Sequence, residues 1–435
     1  MTARPAGNVA DYLTAFEDVR HELPGRRLGW LDTARAAAIG RFVQQGFPTL
    51  RDEDWKYTSL AALEAVRFDV RPARSGADLA ARVAAWALPG SHLLVFVDGR
   101  YAPELSRPGR LPAGVELGSL APQLAAGDET LAAQLAPYPP SSAVADLNLA
   151  FMADGAYLRL PPGARVKAPI HWLFVASEAR LAVQPRNLVL AGAGSAAVIV
   201  EQHVAAADDS YFTNAVSDLV LDAGASLEHH KLQQESPHAF HLAGVNVAQA
   251  AGSRFVSGAY AFGGRLARTG IAVALQGEGA SCTLDGLYVA GGRQHLDHHT
   301  RIEHRQPRCT SRELYKGVLG GAARAVFSGC VAVHPGAQES DARQANHNLL
   351  LSDAAEVDSK PQLDIRADDV QCSHGATVGQ LDADQVFYLR TRGIAEAAAR
   401  SLLTRAFALE IIDRVGVDVL QERLDQVLQA HLPRP

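Results

Sequence analysis

Two residues with useful chemistry stand close together in the stretch VQCSHGATVG at 370–379. A thiolate and an imidazole both bind borderline metals, and a cysteine with a histidine can also form a nucleophile and its base. Side chains alternate along a β-strand, so Cys372 and His374 would share one face, roughly 7 Å apart between Cα atoms. Both could then touch one metal ion or one edge of a cluster. Two ligands do not fill a tetrahedral site, so the remaining ligands must come from elsewhere in the fold or from another chain.

Two other interpretations of this pair stay open from the residues alone. A catalytic Cys/His pair needs a third orienting group and an oxyanion hole, and the neighbouring sequence indicates neither. A buried cysteine beside a hydrogen-bonded histidine would be structural and would have no reactive role.

A second candidate is the histidine-rich segment QHLDHHTRIEH at 294–304. Imidazole is the commonest metal ligand, so a stand-alone histidine-rich metal-binding protein is one alternative function. Strand alternation places His295 and His299 on one face and His298 and His304 on the other. Because only a bend could bring three of them together, the pattern favours a structural or solvent-facing histidine ladder.

Paired carboxylates suggest another alternative, a β-solenoid carbohydrate-active enzyme that uses residues such as Asp364 and Asp368. Such enzymes usually act outside the cell. The first thirty residues are interrupted by Arg, Asp and Glu and do not have the continuous apolar core of a secretory signal, which counts against this alternative.

Nucleotide-binding motifs give little support for a cofactor. Gly192, Gly194 and Ala197 match the GxGxxA spacing of a dinucleotide-binding turn, but the strand-like AAVIVEQH follows where that turn needs a helix. The chain contains no Gly-Lys dipeptide and therefore no phosphate-cradling P-loop. If ATP is involved, another subunit hydrolyses it.

The composition is that of an ordinary globular protein of 435 residues, with 48% hydrophobic and 20% charged residues. A net charge of −6 gives no electrostatic reason to expect nucleic acid or an anionic membrane surface as a partner. Apolar runs are too short to span a bilayer. The four cysteines show no CxxC pairing, so we expect a reduced, cytoplasmic protein.

A repeat predicts the architecture of residues 156–381. Short β-branched runs there are separated by turns, and the turn glycines recur at spacings of 30, 28 and 27 residues, at Gly194, Gly224, Gly252 and Gly279. A near-constant period without helices indicates stacked β coils, because each unit needs neighbours to bury its apolar face. We predict a β-helix core domain, with a large β-sandwich as the alternative.

Helical periodicity predicts the two flanking domains, at 1–155 and 382–435. The first is mostly helical and contains one strand, HLLVFVDG at 92–99. In the second, a helix at 394–415 places five apolar residues on one face, and a further helix follows at 417–432. Those five residues are Ile394, Ala398, Leu402, Ala406 and Leu409.

Three segments together resemble one known family. They are SRELYKGVLGGAARAVFSGCVAV at 311–333, the run QANHNLLLSDAAEVDSKPQLDIRADDVQCSHGATVGQLDADQVFYLRTRGI at 344–394, and EDWKYTSL at 53–60. The first two are similar to the SufB/SufD family of iron–sulfur cluster assembly proteins, and the third resembles the WKYT element of its SufD branch. The order of helical, β and helical zones matches the family over the whole chain.

This resemblance implies a right-handed parallel β-helix flanked by N-terminal and C-terminal α-helical regions. It implies a non-enzymatic scaffold subunit that pairs with SufB through the β-helices, with a homodimer possible in isolation. The C-terminal helices, with Ile394, Leu402, Ala406 and Leu409, would dock the ATPase SufC, which uses the ATP.

The resemblance also assigns roles to single residues. Gly375 stands where SufB proteins usually have Glu, and Asn346 stands where SufB has its proposed scaffold cysteine. An amide cannot replace a thiolate in iron–sulfur chemistry, so the chain should hold no stably bound cofactor alone. His374 matches the residue thought to contribute to a nascent iron–sulfur cluster at the SufB interface, while Cys372 would assist or be structural.

Overall fold

The repeat of short strands folds into a parallel β-solenoid of about eight turns in the computed structural model of the protein. The structure describes residues 7–26, 28–70, 79–126, 131, 134–135 and 142–432. The prediction of a mainly β, parallel solenoid flanked by helical regions is confirmed. Parts of the predicted N-terminal domain, among them 71–78 and 136–141, lie outside the described residues.

The strands fall into an N-terminal group and the solenoid proper. The N-terminal group is β1 His92–Val97, β2 Arg100–Tyr101 and β3 Glu116–Ser119. The solenoid consists of β4 Ala156–Leu160, β5 Ile170–Ala176, β6 Ala182–Val183, β7 Arg186–Ala191, β8 Ala196–Ala205, β9 Phe212–Leu221, β10 Ser226–Gln234, β11 Phe240–Gln249, β12 Arg254–Ala261, β13 Leu266–Leu275, β14 Ser281–Ala290, β15 His295–His304, β16 Thr310–Leu319, β17 Arg324–Val333, β18 Ser340–Leu350, β19 Glu356–Ile365 and β20 Val370–Gly379.

Successive strands alternate between two sheets, and each strand pairs with the strand one coil later. The first sheet has the order β2-β1-β5-β8-β10-β12-β14-β16-β18-β20, and the second has β19-β17-β15-β13-β11-β9-β7-β4-β3. The pairing within the solenoid is parallel, with 26 residues between Phe240 and its partner Leu266 and 32 between Arg324 and Glu356. The differences in the number of residues per coil fall in the turns, so the strands keep their register.

The recurring glycines lie at the turns that join the two sheets. At Gly194, Gly224, Gly252 and Gly279, φ is 65, 68, 63 and 68°, a region that residues with a Cβ rarely adopt. Each coil repeats the same turn above the last one, which accounts for the period seen in the sequence.

Alternate side chains of each strand point into the lumen between the two sheets and form the main core. Ala197, Leu227, Phe255 and Cys282 follow one another in register along the first sheet, and all four are buried. Stacking in register lets each coil cover the apolar face of the one before, which removes that surface from water.

Helices cover the outer faces of the solenoid. The N-terminal helices span Gly7–Val19, Gly29–Gln45, Ala61–Glu64, Ala80–Trp86, Leu120–Ala126 and Ala143–Phe151, with 3₁₀ turns at Glu53–Trp55 and Pro103–Leu105. Their apolar residues pack on the second sheet around Phe212 and Phe240. The predicted strand at 92–99 is β1, which extends the first sheet.

Three C-terminal helices span Ala383–Thr391, Glu396–Ile412 and Asp418–His431. The last two pack on the outer face of the first sheet, where Ala408 and Ile411 meet Leu287 and Val318. Polar contacts also anchor this pair of helices, since Lys316 binds Glu410, and Arg414 Nε lies 3.0 Å from Asp285 Oδ2.

Candidate functional site

Cys372 and His374 lie on the last strand of the solenoid, β20, and both side chains point toward the lumen side. The register pairs Cys372 with Ala342 and His374 with Gln344, two residues that face the interior of the preceding coil. The strand alternation therefore places the two residues on one face, as their spacing predicts. No described strand pairs with the other edge of β20, so this face lies at the open end of the solenoid.

The last coil is far more exposed than the coils before it. Residues 373–379 of β20 are all exposed, including Val378 with 52% of its surface accessible, and most of β19 is exposed or half-buried. An unpaired strand edge with apolar side chains is a ready template for another chain. The open end therefore has the properties of an interface.

Within this end, the two residues differ in environment. Cys372 is half-buried and packs beside a small apolar cluster that contains Val331, Val333 and Ala342. Burial raises the pKa of the Cys372 thiol, which keeps it protonated and a poor ligand in this state. His374 is exposed and free to meet a partner.

Behind His374 the lumen is polar, a feature that the sequence did not predict. Gln344 Nε2 donates to Glu313 Oε2 at 2.6 Å, and Glu313 is the register partner of Gln344 on the preceding coil. Burial raises the pKa of Glu313 to about 7, opposed by the hydrogen bond from Gln344. A carboxyl group that titrates near neutral pH thus lies two coils inside the strand that carries His374.

Asn346 is part of the same lumen and has a structural role there. Its Nδ2 donates to Tyr288 Oη at 2.9 Å, and its Oδ1 accepts from Ser359 Oγ at 2.7 Å and from Asn348 Nδ2 at 2.7 Å. The amide is fully buried and well satisfied, so it links side chains of both sheets.

The histidine-rich strand β15 splits its histidines between two faces as predicted, with His298 and His304 in the lumen and His295 and His299 outside. His304 binds Ser340 and Ser311, and His298 stacks on Tyr288 at a ring distance of 5.2 Å. Burial lowers the pKa of His298, His299 and His304 to about 4. The described residues of this segment do not converge on a common point, so the histidine ladder is the observed arrangement.

The outer face of β15 instead holds the WKYT segment. Thr58 Oγ1 contacts His295 Nε2 at 2.9 Å and donates to Asp297, which also binds Arg268. The Arg268 guanidinium lies 3.9 Å from the centre of the Trp55 ring, within range of a cation–π interaction. These contacts explain why an acid and histidines stand together on this face.

The other sequence motifs do not form sites among the described residues. Asp364 and Asp368 are exposed, and Asp364 binds Arg366, whose hydrogen bond lowers the pKa of Asp364 rather than raising it as a general acid requires. Gly194 occupies a solenoid turn followed by β8, so the dinucleotide motif has a strand where it would need a helix.

The predicted docking face of the C-terminal helix is turned outward. The helix spans Glu396–Ile412, slightly shorter than predicted, and its packed side carries Ala399, Ala408 and Ile411. Leu402, with 53% of its surface accessible, and Ala406 are exposed, while Ile394 and Leu409 are half-buried. Nearby, Phe387 and Tyr388 are 64% and 56% exposed. Leu409 packs against the core beneath this helix, whereas Leu402 and Ala406 leave apolar surface accessible to solvent.

These features define a class of protein: a parallel β-solenoid with helices on its flanks and an open terminal coil that presents a cysteine and a histidine. Comparison with known proteins gives the family. Residues 174–407 match the family described as SUF system FeS cluster assembly, SufBD core domain, and residues 7–172 match the SufBD protein N-terminal region. The chain belongs to the SufBD family of iron–sulfur cluster assembly proteins, which confirms the resemblance seen in its motifs.

Relatives match over nearly the whole chain. An iron–sulfur cluster assembly SufBD family protein of Synechocystis is 37% identical over 87% of this chain and 86% of its own length. The iron–sulfur cluster assembly protein SufD of Escherichia coli is 32% identical over 91% of this chain and 92% of its own. A chloroplastic protein of Arabidopsis thaliana is 29% identical over 88% and 82%. Among the described residues, no helix is both long and apolar enough to cross a membrane.

Proposed function

We propose that this chain is a non-catalytic, SufD-type scaffold subunit of an iron–sulfur cluster assembly complex. The observation that carries the proposal is the exposed His374 on the lumen-facing side of the terminal strand β20, whose outer edge has no described partner. A SufB-type partner that meets this end would bring its own side chains opposite His374. The two ligands missing from the sequence pattern would then come from that partner.

In this assignment His374 supplies a nitrogen ligand to a nascent cluster, and the partner supplies thiolates. Imidazole nitrogen replaces thiolate at some iron–sulfur centres, so a mixed ligand set is chemically reasonable. Asn346 is an amide and is used up in buried hydrogen bonds, which supports a cluster that this chain does not assemble alone. The cluster is cargo of the complex rather than a resident cofactor of this subunit.

The role proposed for Cys372 depends on the conformation of the last coil. Its thiol is half-buried and protonated in this conformation, because burial raises its pKa. A rearrangement that separates β20 from the apolar cluster around Val331 and Val333 would expose it. Cys372 would become a ligand in that second state and is structural in the first.

The outward face of the helix Glu396–Ile412 is proposed to dock an ATPase of the SufC type, which would use the ATP. Leu402 and Ala406 are exposed there, and Phe387 and Tyr388 extend the apolar surface onto the preceding helix. The opposite face of the helix packs on the solenoid through Ala408 and Ile411. Polar contacts from Lys316 to Glu410 and from Arg414 to Asp285 hold this region in place. A force applied at this helix by the ATPase would therefore be transmitted to the coils that lead to His374.

The test is reconstitution of the complex with SufB-type and SufC-type partners, with His374→Ala in place of the wild-type chain. We expect the complex to form, because His374 is exposed and makes no described side-chain hydrogen bond, and cluster assembly followed by visible absorbance to fall at least tenfold.

His21→Ala is the matched control, since His21 is an exposed histidine on the N-terminal side of the chain. It should leave assembly unchanged. Wild-type cluster yield from an intact complex that contains His374→Ala would contradict the role given to His374.

A further inference from the structure

Three potential metal ligands meet inside the solenoid, far along the chain from the open end. They are His203 on β8, Glu235 just after β10, and His241 on β11. One donor atom from each lies within 4.8 Å of the other two, and all three side chains are buried. The three side chains occupy the lumen. Leu227 on β10 and Val245 on β11 lie on the same faces as Glu235 and His241, and both belong to the lumen core.

A carboxylate outside the group orients one of the two histidines. His203 Nε2 lies 2.8 Å from Glu201 Oε1, within hydrogen-bond distance. A carboxylate that holds one nitrogen of an imidazole orients the ring and makes the other nitrogen a better ligand, as in many metal sites. Both ring nitrogens of His241 are buried and have no hydrogen-bond partner among the described residues, although Nδ1 lies 2.6 Å from Glu235 Oε2, so His241 has an unused lone pair.

Glu235 is held in a fixed position as well. Its Oε1 accepts from Thr213 Oγ1 at 2.8 Å, and its Oε2 accepts from Gln233 Nε2 at 3.1 Å.

The charges around the group favour a cation. Among the described contacts of Glu201 and Glu235, one lysine is found, Lys231, whose Nζ lies 3.4 Å from Glu201 Oε1. Two buried carboxylates thus face one ammonium group, and excess buried charge is costly unless something compensates it.

We propose that His203, Glu235 and His241 bind one divalent transition-metal ion of the Zn²⁺ or Fe²⁺ class inside the solenoid. Two imidazole nitrogens and one carboxylate oxygen are a ligand set that suits these ions and leaves coordination positions for water. Ligands about 2.1 Å from one ion lie no more than ~4.2 Å apart, so the group needs to contract by less than about 1 Å. This site shares no residue with the proposed cluster interface.

The group lies next to a surface turn of the solenoid. Glu235 and Ser236 are buried, but the next two residues, Pro237 and His238, are exposed. The ligand Glu235 is therefore two residues away in sequence from solvent-exposed chain.

The test uses the purified full-length chain, stripped of metal, titrated with Co²⁺ and followed by its visible d–d absorption. We expect one chelator-reversible Co²⁺ per chain, and a rise in the unfolding temperature with Zn²⁺ because a ligand that binds the folded state stabilises it. Glu235→Gln and His241→Gln should each weaken Co²⁺ binding at least tenfold. His304→Gln is the matched control, since His304 is also buried in the lumen but binds two serine hydroxyls.

The outcomes separate cleanly. A wild-type chain that shows no Co²⁺ absorption band overturns the proposal without any variant. Equal weakening by His304→Gln and His241→Gln, with folded proteins by circular dichroism, also overturns it, because the effect would then be general to the lumen. His374→Ala should retain the band, so failure of the cluster-interface proposal and failure of this one are distinguishable.

Discussion

At the scale of single residues, solvation separates side chains that the sequence places side by side. Cys372 and His374 share a face of β20, yet the thiol packs on Val331 and Val333 while the imidazole meets solvent. A thiol must lose its proton to bind iron, and burial opposes that loss. The histidine can act in the present conformation, whereas the cysteine requires a change of the coil around it.

Glu313 should make the stability of the protein depend on pH. In the folded protein, burial raises the pKa of Glu313 to about 7 from its ordinary value of 4.5. The protonated form suits the fold, so its contribution is fully present below about pH 4.5 and is lost as the pH rises through 7. A difference of this size corresponds to roughly 3 kcal/mol of unfolding free energy.

Denaturant unfolding at pH 5 and pH 8 tests this expectation. Glu313→Gln should be close to wild type at pH 5 and more stable than wild type at pH 8, because the amide carries no charge to desolvate. Glu422→Gln, an exposed position, serves as the control and should show the wild-type pH dependence. A Glu313→Gln chain whose stability falls as steeply as that of wild type between the two pH values would show that Glu313 does not titrate in this range.

At the scale of elements, the C-terminal helix Glu396–Ile412 carries two apolar stripes with different partners. Ala408 and Ile411 pack on the solenoid, while Leu402 and Ala406 face solvent. A helix that is apolar on both sides is usually buried on both sides in the working assembly.

Leu402→Asp should therefore abolish binding of a SufC-type ATPase and leave the unfolding free energy within about 0.5 kcal/mol of wild type. Ile411→Ala, on the packed stripe of the same helix, should cost about 2–4 kcal/mol of stability. Pull-down of the ATPase with thermal unfolding of each variant measures both effects. Full ATPase binding by Leu402→Asp would show that the docking site lies elsewhere. Point changes are preferable to removing the helices, which would uncover Leu287 and Val318.

Local patterns were enough to predict the solenoid but not what its lumen contains. The turn glycines repeat because the backbone needs φ near +65° at the same place in each coil, and that requirement is visible in the sequence. The partner of a residue lies between 26 and 32 residues away, and this variation conceals which side chains stack. Glu313 behind Gln344, and His241 beside Glu235, were missed for that reason. Helical period likewise predicted an apolar stripe through Leu402 without indicating which of two stripes packs on the core.

At the scale of the whole molecule, the solenoid is closed at one end and open at the other. The antiparallel strands β2 and β3 and the N-terminal helices cover the first coils, while β19 and β20 end both sheets without a described neighbour. Solenoids normally need a polar cap to stay soluble, and unpaired edges tend to recruit further strands. We therefore expect a second solenoid to cover the open end of this chain.

In isolation the chain should pair with itself through that end. The exposed strand β20 offers backbone donors and acceptors, and Val378 and Ile365 add accessible apolar surface. A homodimer with two-fold symmetry would satisfy both edges at once.

Val378→Lys places a charge at the centre of such an interface, and its self-repulsion across the two-fold axis should weaken the dimer at least tenfold in sedimentation analysis. Arg51→Ala, at an exposed position in the N-terminal region, should leave the dimer intact. If Val378→Lys self-associates as the wild type does, the contact between copies lies elsewhere. Conversion of the wild-type dimer into a heterodimer by an added SufB-type partner would show that the two chains compete for the same open end.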